Sequence, residues 1–289
     1  MINRKDPHHN WVSFMELILK CKDGITVTDK IYYNTYFKIS PQMHMDYIQT
    51  KGPGNELVYY IYHTGAAYLS GEEYGQNIII QKDAKAIVTT VSPNSIYECK
   101  DDEFAYQEEY TQVDENAYLT YITDDIIAYE GARYKQKNTF KLSSKAHLIY
   151  SDMIGPGWSE KDKDYTFEWI KFKSEFYVDD KLFNLDNLRV EPKELEINAL
   201  GYMDEFLYMP SIFVFDERVN EKLILELRQY IKQTIKFDHK IGISKLDGNA
   251  FVIRALTKME EDGNALVVLC VNWIRKHLWN MVEINFKKY

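Results

Sequence analysis

The chain has 289 residues, 45% of them apolar, enough for one large domain or two small ones built on a real core. A formal net charge of −9 excludes a phosphate-backbone binder, which carries a basic stripe. Cys21, Cys99 and Cys270 lie far apart and form no CxxC pair, which excludes a disulfide framework and a zinc cluster and points to a reducing cytoplasm.

The N-terminus, Met1-Ile2-Asn3-Arg4-Lys5-Asp6-Pro7, lacks the apolar core of a signal peptide, and no run of about 18 apolar residues exists to span a membrane. A soluble intracellular protein is expected. From about residue 14 to 215, short runs rich in Tyr, Ile, Val, Phe and Thr alternate with Gly, Asn and Asp, predicting a β-rich body. Runs at 77–81, 86–91, 104–112, 117–122, 137–142 and 148–152 follow at intervals of roughly ten residues. Meanders and β-solenoids share that spacing, and it does not choose between them. No motif of fixed period is evident. The run 166–178 carries large apolar residues on both alternation phases, Phe167 and Trp169 on one and Ile170, Phe172 and Phe176 on the other, so both faces are expected to be covered. Asp179-Asp180-Lys181 then turns into a short strand at 182–185.

Beyond residue 215 the period changes. Val219, Leu223, Leu227 and Ile231 fall four apart behind an Asp216 N-cap, predicting a helix to about residue 234. A hairpin around Leu246-Asp247-Gly248-Asn249 and a second helix at 264–279 complete a helix-hairpin-helix unit. The expected organisation is a β-rich body over 1–215 and this unit over 216–289, on one domain or two.

The common catalytic signatures HExxH, GxSxG, GxxxxGK[ST] and a post-strand GxGxxG are all missing. His8 and His9 fall in a polar tail, read as unstructured rather than metal-binding. His44 and Asp46 share a face of a strand but lack a third ligand. His63 and His147 read as hydrogen-bonded structural residues. The acidic residues Asp101, Asp102, Glu103, Glu108, Glu109, Asp114 and Glu115 read first as a solvated loop and strand edge, and second as a surface that steers a cation or basic partner. The tyrosines read as core and cross-strand pairs rather than a sugar-binding face.

Three segments follow one another at strand spacing: Gly65-Ala66-Ala67-Tyr68-Leu69-Ser70-Gly71-Glu72, then Ala86-Ile87-Val88-Thr89-Thr90, then Tyr118-Leu119-Thr120-Tyr121-Ile122-Thr123-Asp124-Asp125. With Gly242-Ile243-Ser244-Lys245-Leu246 and Val252-Ile253-Arg254, they resemble the UreD (or UreH) family of urease accessory proteins from about Glu16 to the C-terminus. Glu72 stands for the family's aspartate and Asp124 matches. Thr120 replaces a glutamate, and the family's Gly-Arg and Gly-Glu polar pattern is lost at Gly157-Trp158 and Asp162-Lys163. The resemblance implies a mainly β, two-layered helical, solenoid-like fold with a few helices, and no catalytic residues. It implies a cytoplasmic scaffold without a permanent cofactor, which binds the urease apoprotein and the UreF and UreG accessory proteins and passes nickel transiently through an interior tunnel. Glu72, Thr89, Thr90 and Asp124 have the oxygen donors such a path needs, and are equally the residue types that finish turns and strands. A rival reading is a β-solenoid or β-sandwich carbohydrate hydrolase that pairs Glu72 with Asp124.

Overall fold

A computed structural model of the chain describes residues 1–44 and 55–285. The strands in chain order are β1 (Trp11–Lys22), β2 (Ile25–Tyr33), β3 (Phe37–Ile39), β4 (Met43–His44), β5 (Glu56–His63) and β6 (Glu73–Ile80). There follow β7 (Lys85–Thr90), β8 (Asn94–Ile96), β9 (Ala105–Val113), β10 (Tyr118–Ile122), β11 (Ile126–Ala128) and β12 (Arg133–Leu142). The body closes with β13 (His147–Ile154), β14 (Trp169–Val178), β15 (Lys181–Val190) and β16 (Met209–Phe215).

From β5 to β14 the long strands alternate between two sheets. One sheet has the order β2-β1-β6-β9-β12-β14-β15, and the other contains β3-β5-β7-β10-β13-β16. The inner neighbours of both sheets, β6 with β9 and β9 with β12, or β7 with β10 and β10 with β13, are parallel. Each circuit therefore adds one strand to each layer, which makes a two-layered β-solenoid; a meander would pair its neighbours antiparallel. Antiparallel hairpins terminate the first sheet. Their two-residue turns, Asp23-Gly24 and Asp179-Asp180, all have positive φ, the geometry that suits a right-twisted hairpin.

Parallel register stacks like positions in rows. Leu17, Tyr59, Ile78, Val88, Leu119, Phe140, Leu148 and Phe213 fill the space between the sheets. Phe176 stacks on Phe140 at 4.6 Å and on Phe213 at 3.8 Å between ring centroids. The expectation that both faces of the run 166–178 are covered fails. Phe167, just before β14, is fully buried, and Ile170, Phe172 and Phe176 point inward, whereas Trp169 is partly exposed on the outer face, covered by the Lys171 ammonium 4.0 Å from its ring. A long cationic stem shields this aromatic face without a second protein layer.

The C-terminal unit comprises α1 (Glu221–Thr234), β17 (His239–Lys245), β18 (Ala250–Thr257) and α2 (Glu260–Ile274), followed by a π-helical turn at Arg275–Trp279. β18 pairs with β16, so the hairpin extends the second sheet. The helices cover that sheet's outer face, where Val58, Ile87, Ile122, Ile149 and Ile212 meet Leu223, Leu227, Ile231, Leu266, Cys270 and Ile274. The cap of α1 is Asn220, whose Oδ1 accepts the Leu223 N–H at 3.0 Å, and not Asp216. The buried Asp216 carboxylate is taken up by the His147 ring at 2.6 Å, the Arg218 guanidinium and the Trp279 indole N–H at 2.9 Å. Against the effect of its burial, Arg218 and His147 hold its pKa down to about 2. Asn220→Ala is expected to cost about 1 kcal/mol of unfolding free energy in urea denaturation, the usual value of an N-cap.

Candidate functional site

The inward positions are not all apolar. Across the first sheet, Gln76, Glu109, Asn138, Ser174 and Asp186 pair in register from strand to strand. On the second, Asp152, Ser211 and Arg254 form a corresponding row. Such groups are costly to bury unless bonded, and here they are knitted together. Tyr68 donates to Gln107 Oε1 at 2.8 Å and Tyr134 to Gln136 Oε1 at 2.9 Å. Gln136 Nε2 donates to Asn138 Oδ1 at 3.0 Å, and Asn138 Nδ2 to the Tyr150 hydroxyl at 3.2 Å and Ser174 Oγ at 3.1 Å. Tyr150 then donates to Asp152 Oδ2 at 3.0 Å.

Two small cavities lie along this seam. One, of about 30 Å³, is lined by Gln76, Thr90, Gln107, Tyr121, Thr123, Asp124, Gln136 and Asp152. The other, of about 20 Å³, is lined by Asp152, Ser174, Asp186, Ser211 and Arg254. Asp152 and Phe172 line both. Each has room for a water or two and is far below the size of a site for a sugar or other organic ligand. Gln76 Oε1 is buried without a hydrogen-bond partner, an acceptor available to whatever occupies the first cavity.

Glu109 is 1% exposed, and burial pushes its carboxyl up to about 7 although Tyr121 donates to it at 2.9 Å and Thr111 at 3.0 Å. Burial raises Asp152 to about 6; the nearby Asp186 acts in the same direction, and the Tyr150 hydroxyl and Arg254 oppose it. Beside Asp124, the buried Asp125 rises to about 7 through burial and the carboxylates of Glu260 and Asp124. The seam thus holds carboxyl groups that ionise less readily than ordinary ones, and a cation or a rise in pH favours their charged form.

Of the four residues singled out from the sequence, two meet at the larger cavity. Thr90 Oγ1 donates to Asp124 Oδ2 at 2.7 Å and accepts the Asp124 N–H at 2.7 Å. Thr89 points to the opposite face, under the helices, and donates to the Ile122 carbonyl at 2.7 Å. Glu72 lies outside the cavity lining; its carboxylate accepts the Leu69 N–H at 3.0 Å and the Tyr74 hydroxyl, and holds the turn before β6. His63, nearby, is lowered to about 4 by burial among Tyr36, Phe37, Tyr68 and Tyr74.

Elsewhere, His9 is fixed rather than loose, 3.1 Å from Glu73 and stacked on Trp11 at 4.3 Å. His44 ends β4, and Asp46 lies outside the described residues. Glu108 and Glu115 are surface ion-pair partners of Lys137, Lys82 and Lys145, but Glu109, in the same acidic stretch, turns inward. Among the described residues no three His, Cys, Asp or Glu side chains converge to hold a metal ion, and no helix is long and apolar enough to cross a membrane.

The family model described as UreD urease accessory protein matches residues 15–285. The chain belongs to the UreD family. Similar UreD urease accessory proteins include those of Streptococcus salivarius (strain 57.I), 27% identical over 276 residues covering 95% of this chain and 96% of that one. That of Staphylococcus saprophyticus is 28% identical over 280 residues, covering 96% and 98%. That of Staphylococcus aureus (strain JH9) is 29% identical over the same length and shares. UreD proteins are accessory proteins rather than enzymes, and Glu72, outside the lining of the cavity that Asp124 borders, does not join it there as the hydrolase reading requires. In this UreD chain the inward Glu109 and Asp152 are the groups that motif reading missed; β9 is polar on both alternation phases and gives no signal of which phase faces in.

Proposed function

We propose that the protein is a non-enzymatic, cytoplasmic component of urease maturation through whose interior nickel passes to the urease apoprotein, supplied by UreF-like and UreG-like partners. The observation that carries this reading is the seam of carboxylate, amide and hydroxyl oxygens between two otherwise apolar sheets, with Asp152 facing both cavities. A borderline cation crosses such a space by exchanging its waters for lining oxygens, each weak enough to release it. Thr90 and Asp124 are the oxygen donors at one end. Thr89 and Glu72 act behind the path, Thr89 by fixing the Ile122 carbonyl and Glu72 by holding the Tyr74 hydroxyl.

The test uses cells that carry urease genes with this gene deleted, restored, or restored as Thr90→Val with Asp124→Ala. Deletion is expected to leave urease without nickel and inactive. The double variant is expected to co-purify with its partners yet lower urease activity and bound nickel about tenfold or more, the change that 1.4 kcal/mol of lost cation stabilisation produces. Nickel-loaded, active urease in the deletion strain ends this reading.

A further inference from the structure

Asp186 and Arg254 belong to different sheets. Asp186, on β15, ends the row that begins at Gln76, and Arg254, on β18, ends the row from Asp152 through Ser211. The Arg254 guanidinium donates to Asp186 Oδ2 across the gap, and directly beneath lies the cavity of about 20 Å³ that both residues line with Asp152. Their side chains are 45% and 34% exposed, so the pair stands at the surface with the buried seam behind it.

We infer that the Asp186–Arg254 ion pair is a charge gate, which closes this end of the seam until Arg254 swings into solvent and admits a cation to Asp152. This rests on the reading of the seam as a cation path and names the group that controls one of its ends. A guanidinium fixed across the opening repels an arriving cation, whereas Asp186, once released, offers the first oxygen ligand and Asp152 the second. A half-exposed ion pair is weak, and arginine's long stem lets the charged head leave while its base stays in place. The pair is not needed to hold its strands. Asp186 is already laddered to β14, and Arg254 to both β16 and β17.

The test needs neither urease nor nickel. The full chain carries Ser174→Cys as a reporter in the smaller cavity and Cys21→Ser to remove the partly exposed thiol, Cys99 and Cys270 being buried. Cadmium ion is the probe, and the growth of thiolate-to-cadmium absorption gives the rate of arrival. Arg254→Ala, which removes the repelling charge, is expected to speed arrival about fivefold, the upper range for a half-exposed ion pair, whereas Asp186→Asn, which leaves that charge in place and removes the first ligand, is expected to slow it. The reversed pair, Asp186→Arg with Arg254→Asp, is expected to slow it again. Equal rates in all forms, or a reporter that cadmium never reaches in Arg254→Ala, overturn the gate. If cadmium arrival is gated but the Thr90 and Asp124 variants still mature urease, the gate stands and nickel conduction fails; the converse result fails the gate alone.

Discussion

Glu109→Gln is expected to stabilise the protein above pH 7 by about 3 kcal/mol while leaving it nearly unchanged at pH 4.5. Glu109 is raised from an ordinary 4.5 to about 7 by burial. Below 4.5 both folded and unfolded forms hold the proton, and the group costs nothing. Between 4.5 and 7 the unfolded chain gives up its proton first, so the folded state loses stability as pH rises. Above 7 both forms are ionised and the whole cost of a buried carboxylate is present. Glutamine keeps the shape without that cost, its Oε1 accepting from one of the Tyr121 and Thr111 hydroxyls and its Nε2 donating to the other. Asp152 is shifted in the same direction and interacts with Glu109, so Glu109→Gln and Asp152→Asn together are expected to fall short of additive. Urea unfolding of both proteins at pH 5, 6 and 7.5 measures the difference; curves that run parallel across this range sink the assignment of Glu109 as a strained interior acid. The functional expectation has the opposite sign. The stabilised variant lacks an ionisable oxygen on the seam, so urease maturation falls as stability rises, a trade found where a site stores strain for its task.

The strands were legible because β-branched and tyrosine-rich runs bounded by Gly, Asn and Asp have few other solutions. Their parallel order was not, because spacing along the chain is the same in a meander, and only the pairing partner differs. The C-terminal helices showed through Leu223, Leu227 and Ile231, yet their starts were misplaced for tertiary reasons. Asp216 and Asn220 are both good N-caps, and the choice between them is made by His147, Arg218 and Trp279, which come from distant positions and claim the aspartate. α2 begins at Glu260 because three acidic residues favour a helix N-terminus, a polar first turn that apolar periodicity does not see. At the candidate site, Thr90 and Asp124 could be found through resemblance to a family. Glu109 could not be placed, because β9 carries polar residues on both phases, Gln107, Glu109 and Thr111 against Glu108 and Gln112, so alternation alone does not say which phase faces in.

Arg275→Met is expected to lower unfolding stability by about 3–5 kcal/mol, the largest single-site effect anticipated outside the apolar core. Arg275 is fully buried at the start of the π-helical turn. It grips both oxygens of Glu56, at 2.9 and 2.6 Å, and donates to Thr120 Oγ1 at 2.8 Å and the Val282 carbonyl at 3.1 Å. Removing the arginine leaves the 4% exposed Glu56 without its cation, and that uncompensated carboxylate, more than the lost bonds, sets the cost. Arg275→Met with Glu56→Leu should therefore recover most of the loss, since two apolar side chains of similar volume need no partner. A double variant as unstable as the sum of its single changes would mean that the pair is not what anchors the C-terminal turn. The anchor also bears on the seam. Thr120 lies on β10 one residue before Tyr121, which lines the larger cavity and donates to Glu109. The single variant is therefore expected to mature urease less well even where it remains folded, and the apolar pair to restore both properties together.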